Sequence, residues 1–330
     1  MQNYLPDQDQ NIGIPVYDIL NCGPNNRFVA NEKLVSNCNP QNFKQKAKVG
    51  GTLRECILAP PGHALVVVDA AQIEARIVAW LAEEEWVLEA FREKRDLYCE
   101  FGQDVYNRII TKADIEERFV SKTAFLGLGF QMGGPKLQTS LLTKSIEQGL
   151  EPVRLPVEIC YDIVNKYRTK CSKIRDLWKY VNDSFIATMM TGRRLEYKGL
   201  SIEEGKINLP NGLALLYPGL DAHITKTMFG EIVQNASYLS ARSRSKVYGG
   251  LLTENIVQAL ARIIVAEVMR IIAQKYRVVM MSHDEIVFIT KKKEAKKALE
   301  WAIALMSVPP SWALDLPLSA EGSYDVCYSK

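Results

Sequence analysis

The stretch VVMMSHDEIVFIT, residues 278–290, sets His283, Asp284 and Glu285 between two β-branched, apolar runs. A turn can be built from Asn or Gly without placing adjacent carboxylates beside segments that read as buried strand, so these acids need a chemical reason. A further carboxylate, Asp69, ends the strand-like run ALVVVD. In an α+β lobe, Asp69 and Asp284 can meet at one edge of a sheet. Two carboxylates held close together repel and raise the pKa of at least one, unless a cation sits between them. Mg²⁺ suits that place, because it takes oxygen ligands and usually keeps substrate phosphates and waters in its remaining positions. Two such ions about 3.5–4 Å apart clamp the attacking and leaving oxygens of an in-line phosphoryl transfer. Taken singly, each acid reads more simply as a turn cap or the partner of an arginine. The residues that accompany them favour the metal reading.

In RFVSKTAFLGLGFQMGG, Arg118, Lys122, Leu126 and Phe130 recur at intervals of four, which places all four on one face of a helix. Two cations followed by two apolar groups suit a ligand with a triphosphate at one end and a flat base at the other. An ordinary amphipathic helix with a solvated basic end fits this stretch equally well. After Asp69, the residues Gln72, Glu74 and Arg76 alternate with Ala71, Ile73 and Ala75, a period of two that predicts polar side chains lining a cleft beside Asp69 before the pattern turns helical. A strand end carrying a Glu–Arg pair is the plainer account. Gln258 and Arg262 lie one turn apart on the amphipathic pattern TENIVQALARIIVAEVMRIIAQK, residues 253–275.

The elements that must hold these residues follow from the periodicities. Residues 56–80 read as strand and then helix, 83–200 as a mostly helical lobe broken by Gly127, Gly129, Gly133, Gly134 and Pro135, and 253–290 as a long helix followed by strand, tight turn and strand. Residues 1–37 carry strand-like pieces, VYDIL and RFVAN, around a GPNN turn. At 330 residues and 47% hydrophobic, the chain is long enough for two or three lobes, at roughly 100–200 residues per domain. A net charge of +3 names no partner. No apolar run approaches the roughly 20 residues needed to span a bilayer, and no signal-like segment opens the chain, so a cytoplasmic location is expected. Seven scattered cysteines with no CxxC pair argue against a disulfide framework and against a zinc site.

Together and in this order, DAAQIEAR, the stretch from Arg118 to Phe130, and HDE at 283–285 resemble motifs A, B and C of family A DNA polymerases, especially those of phages. The resemblance covers roughly residues 38–330. It implies an α+β palm (38–81 and 241–330) with an antiparallel sheet, a helical fingers lobe (82–240), and DNA-directed DNA synthesis from dNTPs on a primer-template. By position, Asp69 and Asp284 would hold two Mg²⁺ ions with the backbone carbonyl of Ala70, and His283 and Glu285 would support the site and primer end. Arg118 and Lys122 would grip the triphosphate, with Lys122 a proton donor to pyrophosphate. Gln72 belongs to the same nucleotide-binding string, and Glu74 matches the position that excludes a ribose 2′-OH. Arg76 and Gln258 match primer-template contacts, and Gln41 and Asn42 match residues near the template. Leu126 stands where Phe or Tyr is usual, Phe130 where Tyr is usual, and Tyr98 where bacterial enzymes carry a triphosphate-contacting His. A single-subunit RNA polymerase is the rival enzyme, disfavoured by Glu74. A non-catalytic DNA-binding remnant of the fold is the rival binding module.

The N-terminal stretch VYDILNCGPNNRFVANEKLVSNC resembles the C-terminal blocks of an intein, ending in Asn37 and Cys38. Asn37 could cleave the backbone by side-chain cyclisation after the Cys38 thiol accepts the upstream chain. Residues 1–37 would then be the short half of a split intein, and a separate N-terminal polymerase half would be the partner. Ser36 stands where His is usual. Alternatively, Arg27 belongs to a polymerase box and residues 1–37 are thumb.

Overall fold

The computed structural model describes residues 27–30, 33–36, 56–226, 232–240 and 243–328. In chain order its elements are β1 (Arg27–Ala30), β2 (Lys33–Ser36), β3 (His63–Ala70), α1 (Ile73–Ala82), α2 (Glu85–Arg92), α3 (Leu97–Tyr106), α4 (Ile115–Leu128), α5 (Gly134–Glu147), α6 (Val157–Lys170), α7 (Ser172–Tyr180) and α8 (Ile186–Thr191). There follow β4 (Leu195–Tyr197), β5 (Leu200–Glu203), β6 (Lys206–Asn208), β7 (Ala214–Leu216), β8 (Asp221–Lys226), β9 (Ile232–Leu239), β10 (Arg244–Val247), α9 (Gly249–Ala273), β11 (Arg277–Ser282), β12 (Glu285–Lys291), α10 (Ala295–Met306) and β13 (Ala320–Asp325). The fold is α+β: among the described residues every strand pairing is antiparallel. Two compact units divide the chain, unit 1 comprising 1–71, 264–308 and 319–330, and unit 2 comprising 72–263 and 309–318.

Unit 1 is built on a four-stranded sheet of order β11-β12-β3-β13. The central strand β3 is buried from Ala64 to Ala70, which explains its near-continuous apolar run: both faces are covered. On one face Leu65 and Val67 pack with Val287 and Tyr328. On the other, α10 packs against β3, β12 and β13. Burying each Val or Phe side chain of this sheet contributes about 1.5–3 kcal/mol. Gly322 lets β13 lie close to β3, since a Cβ there would fall 2.2 Å from the Val67 carbonyl oxygen. Within the N-terminal stretch, β1 pairs with β2 in register Arg27↔Ser36.

Unit 2 holds α1–α8 and two further sheets, one of order β4-β5-β6-β7 and one of order β10-β9-β8. The helical expectation for 83–200 holds through α8, and the β structure of 195–247 was not foreseen. Its signal is a glycine every six or seven residues: Gly192, Gly199, Gly205, Gly212 and Gly219 all have positive φ and punctuate short strands with turns. The long helix expected at 253–275 is α9, beginning four residues earlier at Gly249. The reason is tertiary. Side chains from elsewhere in the unit accept from its first N–H groups, Asn182 Oδ1 from Gly249 at 3.2 Å and Gln131 Oε1 from Gly250 at 3.0 Å. A Cβ at 249 would lie 1.9 Å from the Trp178 carbonyl oxygen, so only glycine allows that approach.

Candidate active site

At one end of the unit 1 sheet the chain gathers its acids. His283 and Asp284 form the two-residue turn between β11 and β12, with Ser282 paired to Glu285 and His283 at φ 52°. The backbone carbonyl of Asp284 accepts a hydrogen bond from the Ala70 N–H at 3.0 Å, tying this turn to the end of β3. In register, Asp69 stands opposite Glu285 on β12 and opposite Glu321 on β13. Directly opposed residues in antiparallel strands have Cβ atoms about 4.5–5.5 Å apart, so three carboxylates lie in one row across three strands. Asp69 is 8% and Glu285 1% exposed, whereas Glu321 faces solvent. The Tyr328 hydroxyl donates to Glu285 Oε1 in the buried core.

This arrangement fits a divalent cation that brings most of its own ligands. Among the described residues no group of three His, Cys, Asp or Glu side chains forms a ready metal cage. Two aspartates at a sheet end, with like charge opposed across the strands, match what Mg²⁺ asks of a protein when phosphate and water complete its shell.

Unit 2 gathers cations around one phenol. Tyr98, buried on α3, is hydrogen-bonded to the Gln72 side chain, and burial pushes its hydroxyl up to about 12. The Arg118 guanidinium carbon and Lys122 Nζ lie 5.6 and 5.8 Å from the centre of its ring. Asp96 organises the group. Its Oδ1 accepts from the backbone N–H of Tyr98 and of Cys99, both at 3.1 Å, capping α3. Its Oδ2 accepts from Arg118 Nε at 3.1 Å and Nη2 at 2.9 Å. Burial alone would raise the Asp96 carboxyl, but the Arg118 guanidinium and the Cys99 N–H outweigh it and hold the pKa below the usual value.

Two expected placements are corrected. The alternation of Gln72, Glu74 and Arg76 is not that of a strand: Gln72 has φ 55° at the N-cap and α1 begins at Ile73. The pattern was ambiguous because an amphipathic helix buried on most of its surface shows no clear period of its own. Arg76 is buried rather than lining an open cleft. Its Nη1 donates to the Pro317 carbonyl at 2.7 Å, its guanidinium lies 4.1 Å from the Phe91 ring centre, and burial brings its pKa down to about 10. Phe130 lies beyond the end of the helix that carries Arg118, Lys122 and Leu126. Helix α4 ends at Leu128, and Phe130 sits in the turn that follows, its N–H on the Gly127 carbonyl at 3.4 Å. Gly129 and Gln131, the latter at φ 63°, turn the chain there.

Asp69, Ala70, His283, Asp284 and Glu285 belong to unit 1. Gln72, Glu74, Arg76, Arg118, Lys122, Leu126, Phe130 and Gln258 belong to unit 2, with Gln258 exposed on α9 and its Nε2 3.5 Å from Glu254 Oε1. Asn37, Cys38, Gln41 and Asn42 lie outside the described residues. Glu321, Tyr328 and Asp96 were not anticipated. The Asp96 of RDLYCEF carries the Asp-before-helix signature of an N-cap, whereas nothing local marks Glu321 or Tyr328. No helix among the described residues is long and apolar enough to cross a membrane.

Comparison with known proteins agrees with the motifs. The family model for DNA polymerase family A matches residues 29–208, which includes the last residues of the intein-like stretch. The chain is 32% identical over 290 residues to a DNA polymerase of Bacillus phage SP02, covering 84% of this chain and 43% of that protein. It is 23% identical over 286 residues to the thermostable DNA polymerase I of Thermus thermophilus, covering 87% of this chain and 29% of that protein. The fold resembles that of the POL domain of Pol1 from M. smegmatis, solved in complex with DNA primer-template and dNTP, with a TM-score of 0.54 and 19% identity over 84% of this chain and 42% of that one. The chain thus spans less than half the length of these relatives. With more than half of its residues inside the family match and its carboxylates in the described arrangement, the chain belongs to DNA polymerase family A.

Proposed function

We propose that this chain carries the palm and fingers of a template-directed DNA polymerase, adding a nucleotide from dNTP to a primer 3′-hydroxyl on primer-template DNA. One observation carries the reading: the Ala70 N–H to Asp284 carbonyl bond, with the Asp69↔Glu285 register, brings the two aspartates of separate motifs to one sheet end. Asp69 and Asp284, with the Ala70 carbonyl, would hold two Mg²⁺ ions. Bound there, such ions supply positive charge to the attacking and leaving oxygens. Glu285, fixed by Tyr328, keeps the turn in place, and His283 supports the primer end. Arg118 and Lys122 bind the triphosphate, and Lys122 donates the proton that the departing pyrophosphate needs. Gln72 and Tyr98 set the floor beneath those cations. Glu74 meets a ribose 2′-OH, which favours dNTP over NTP. Leu126 and Phe130 pack on the nucleotide without a phenol hydroxyl. Arg76, through its neighbours, and Gln258 serve the primer-template, as do Gln41 and Asn42.

The test is primer extension with dNTPs and with NTPs, alongside Mn²⁺ binding followed by electron paramagnetic resonance. Asp69→Ala and Asp284→Ala are expected to abolish incorporation and to weaken Mn²⁺ binding. Unchanged Mn²⁺ binding in both variants would refute the site, and preferential NTP incorporation would favour an RNA polymerase.

For residues 1–37 the proposal is a split-intein fragment that joins this chain to a separate N-terminal polymerase half, with Asn37 and Cys38 as the splicing pair. A second reading is favoured by the family match, which begins at residue 29 and so claims Val29–Asn37 for the polymerase. Mixing the chain with a candidate N-terminal half decides between them by mass spectrometry. A ligated product lacking 1–37 supports splicing, and an intact chain supports the polymerase reading of that segment.

A further inference from the structure

The unit 1 sheet has a second end. Strand β12 runs from Glu285 to Lys291, so at about 3.3 Å per residue its far end lies about 20 Å from the carboxylates. There the chain reads KKKEAKK. Lysines 291, 292, 293, 296 and 297 are all exposed, and only Glu294 interrupts them with an acid. Arg277, exposed at the start of β11, joins the same end through its register with Ile289. None of these lysines closes an ion pair with a described residue.

The placement is costly to the fold. Lys292 and Lys293 immediately precede α10, and Lys296 and Lys297 fall in its first turn, where the helix dipole disfavours cations by about 0.3–1 kcal/mol each at low salt. Repulsion among the lysines adds to that. Folding does not require charge there, since the residues that anchor α10 are Ala295, Ala298, Ala302 and Met306. Beside the lysines lie two half-buried rings, Tyr276 and Trp301, with centres 5.8 Å apart, and Lys275 Nζ is 4.8 Å from the Trp301 ring.

We infer that this end of unit 1 is a second DNA-binding surface, which holds the phosphodiester backbone without reading bases. A cluster of flexible ammonium groups suits phosphates as point charges and provides no geometry for base edges. The inference rests on the polymerase reading, because DNA already held by the chain meets the surface at high effective concentration.

Fluorescence anisotropy of the full chain with labelled oligonucleotides of arbitrary sequence, titrated from about 50 to 200 mM NaCl, tests it. Each lost phosphate contact lowers the slope of log K against log salt by about 0.9 on duplex and 0.7 on single strands. The variant carrying Lys292→Gln, Lys293→Gln, Lys296→Gln and Lys297→Gln is expected to lose about 3 from the slope on whichever form the surface holds. An unchanged slope on both forms overturns the inference, as does poly-glutamate binding more tightly than DNA at equal ionic strength. If the fourfold variant misfolds by circular dichroism, Lys292→Gln and Lys297→Gln singly are expected to lower the slope by just under 1 each. Asp69→Ala separates the two ideas. Loss of incorporation with the slope intact in Asp69→Ala, but reduced in the lysine variant, supports both. Incorporation surviving Asp69→Ala refutes the metal site at that residue, and no incorporation by the unaltered chain refutes the polymerase reading; the salt slope reads the surface separately from both.

Discussion

Asp69 faces Glu285 on one neighbouring strand and Glu321 on the other, in register with both. Like charges directly opposite one another destabilise an antiparallel pair, and the sheet sets acids opposite one another on both sides of its central strand. Glu321→Gln is therefore expected to stabilise the metal-free chain slightly and to reduce the gain in Tm that Mg²⁺ produces. Thermal denaturation with and without Mg²⁺ measures both. A Tm gain from Mg²⁺ identical in wild type and variant would show that Glu321 does not sense the ion.

Tyr328 donates to a carboxylate that is 1% exposed. Tyr328→Phe leaves Glu285 without that donor, and a hydrogen bond to a charged group is worth about 1.5–3 kcal/mol. Urea denaturation of Tyr328→Phe, Glu285→Gln and the double variant is expected to show coupling of that order. Additive losses would mean the two side chains act independently.

Asp96 both caps α3 and holds Arg118. Asparagine caps as well as aspartate, so Asp96→Asn removes the charge while keeping the cap. The folded-state pKa of Asp96 lies below 3.8, so its contribution to stability is present above that pH and lost as pH falls through the lower folded value. Asp96→Asn is expected to flatten the acid limb of the stability curve below about pH 4. In nucleotide incorporation the same variant is expected to raise KM for dNTP with kcat less affected, because a less fixed Arg118 binds phosphate more weakly. A lowered KM would show instead that Asp96 competes with the triphosphate.

Arg76 bonds the Pro317 carbonyl and stacks on Phe91 within unit 2. Arg76→Ala is expected to cost about 1–3 kcal/mol, and Arg76→Lys to recover only part of it, because the ammonium cannot reproduce the planar stack and the fork together. Chemical denaturation checks this. Weakened DNA binding with full stability would place the guanidinium on nucleic acid instead.

The sequence by itself determined the chemistry-bearing motifs and the local elements that carry them. ALVVVD reads as a buried strand and is one, HDE reads as a tight turn between strands and its first two residues form that turn, and the apolar stripe of α9 is unmistakable over its length. Those signals are local: alternation, helical spacing, and turn residues within a few positions of one another. Only the tertiary structure decided what depends on residues far apart in the chain. It chose which strands flank Asp69, and so added Glu321 to its row and Tyr328 to Glu285. It ended α4 before Phe130, folded Gln72–Arg76 into a cap and helix, and set two sheets where helix had been expected. In each case the deciding energy is burial or a hydrogen bond to a distant partner, which overrides a local preference of a few tenths of a kcal/mol and leaves no mark on the residues nearby.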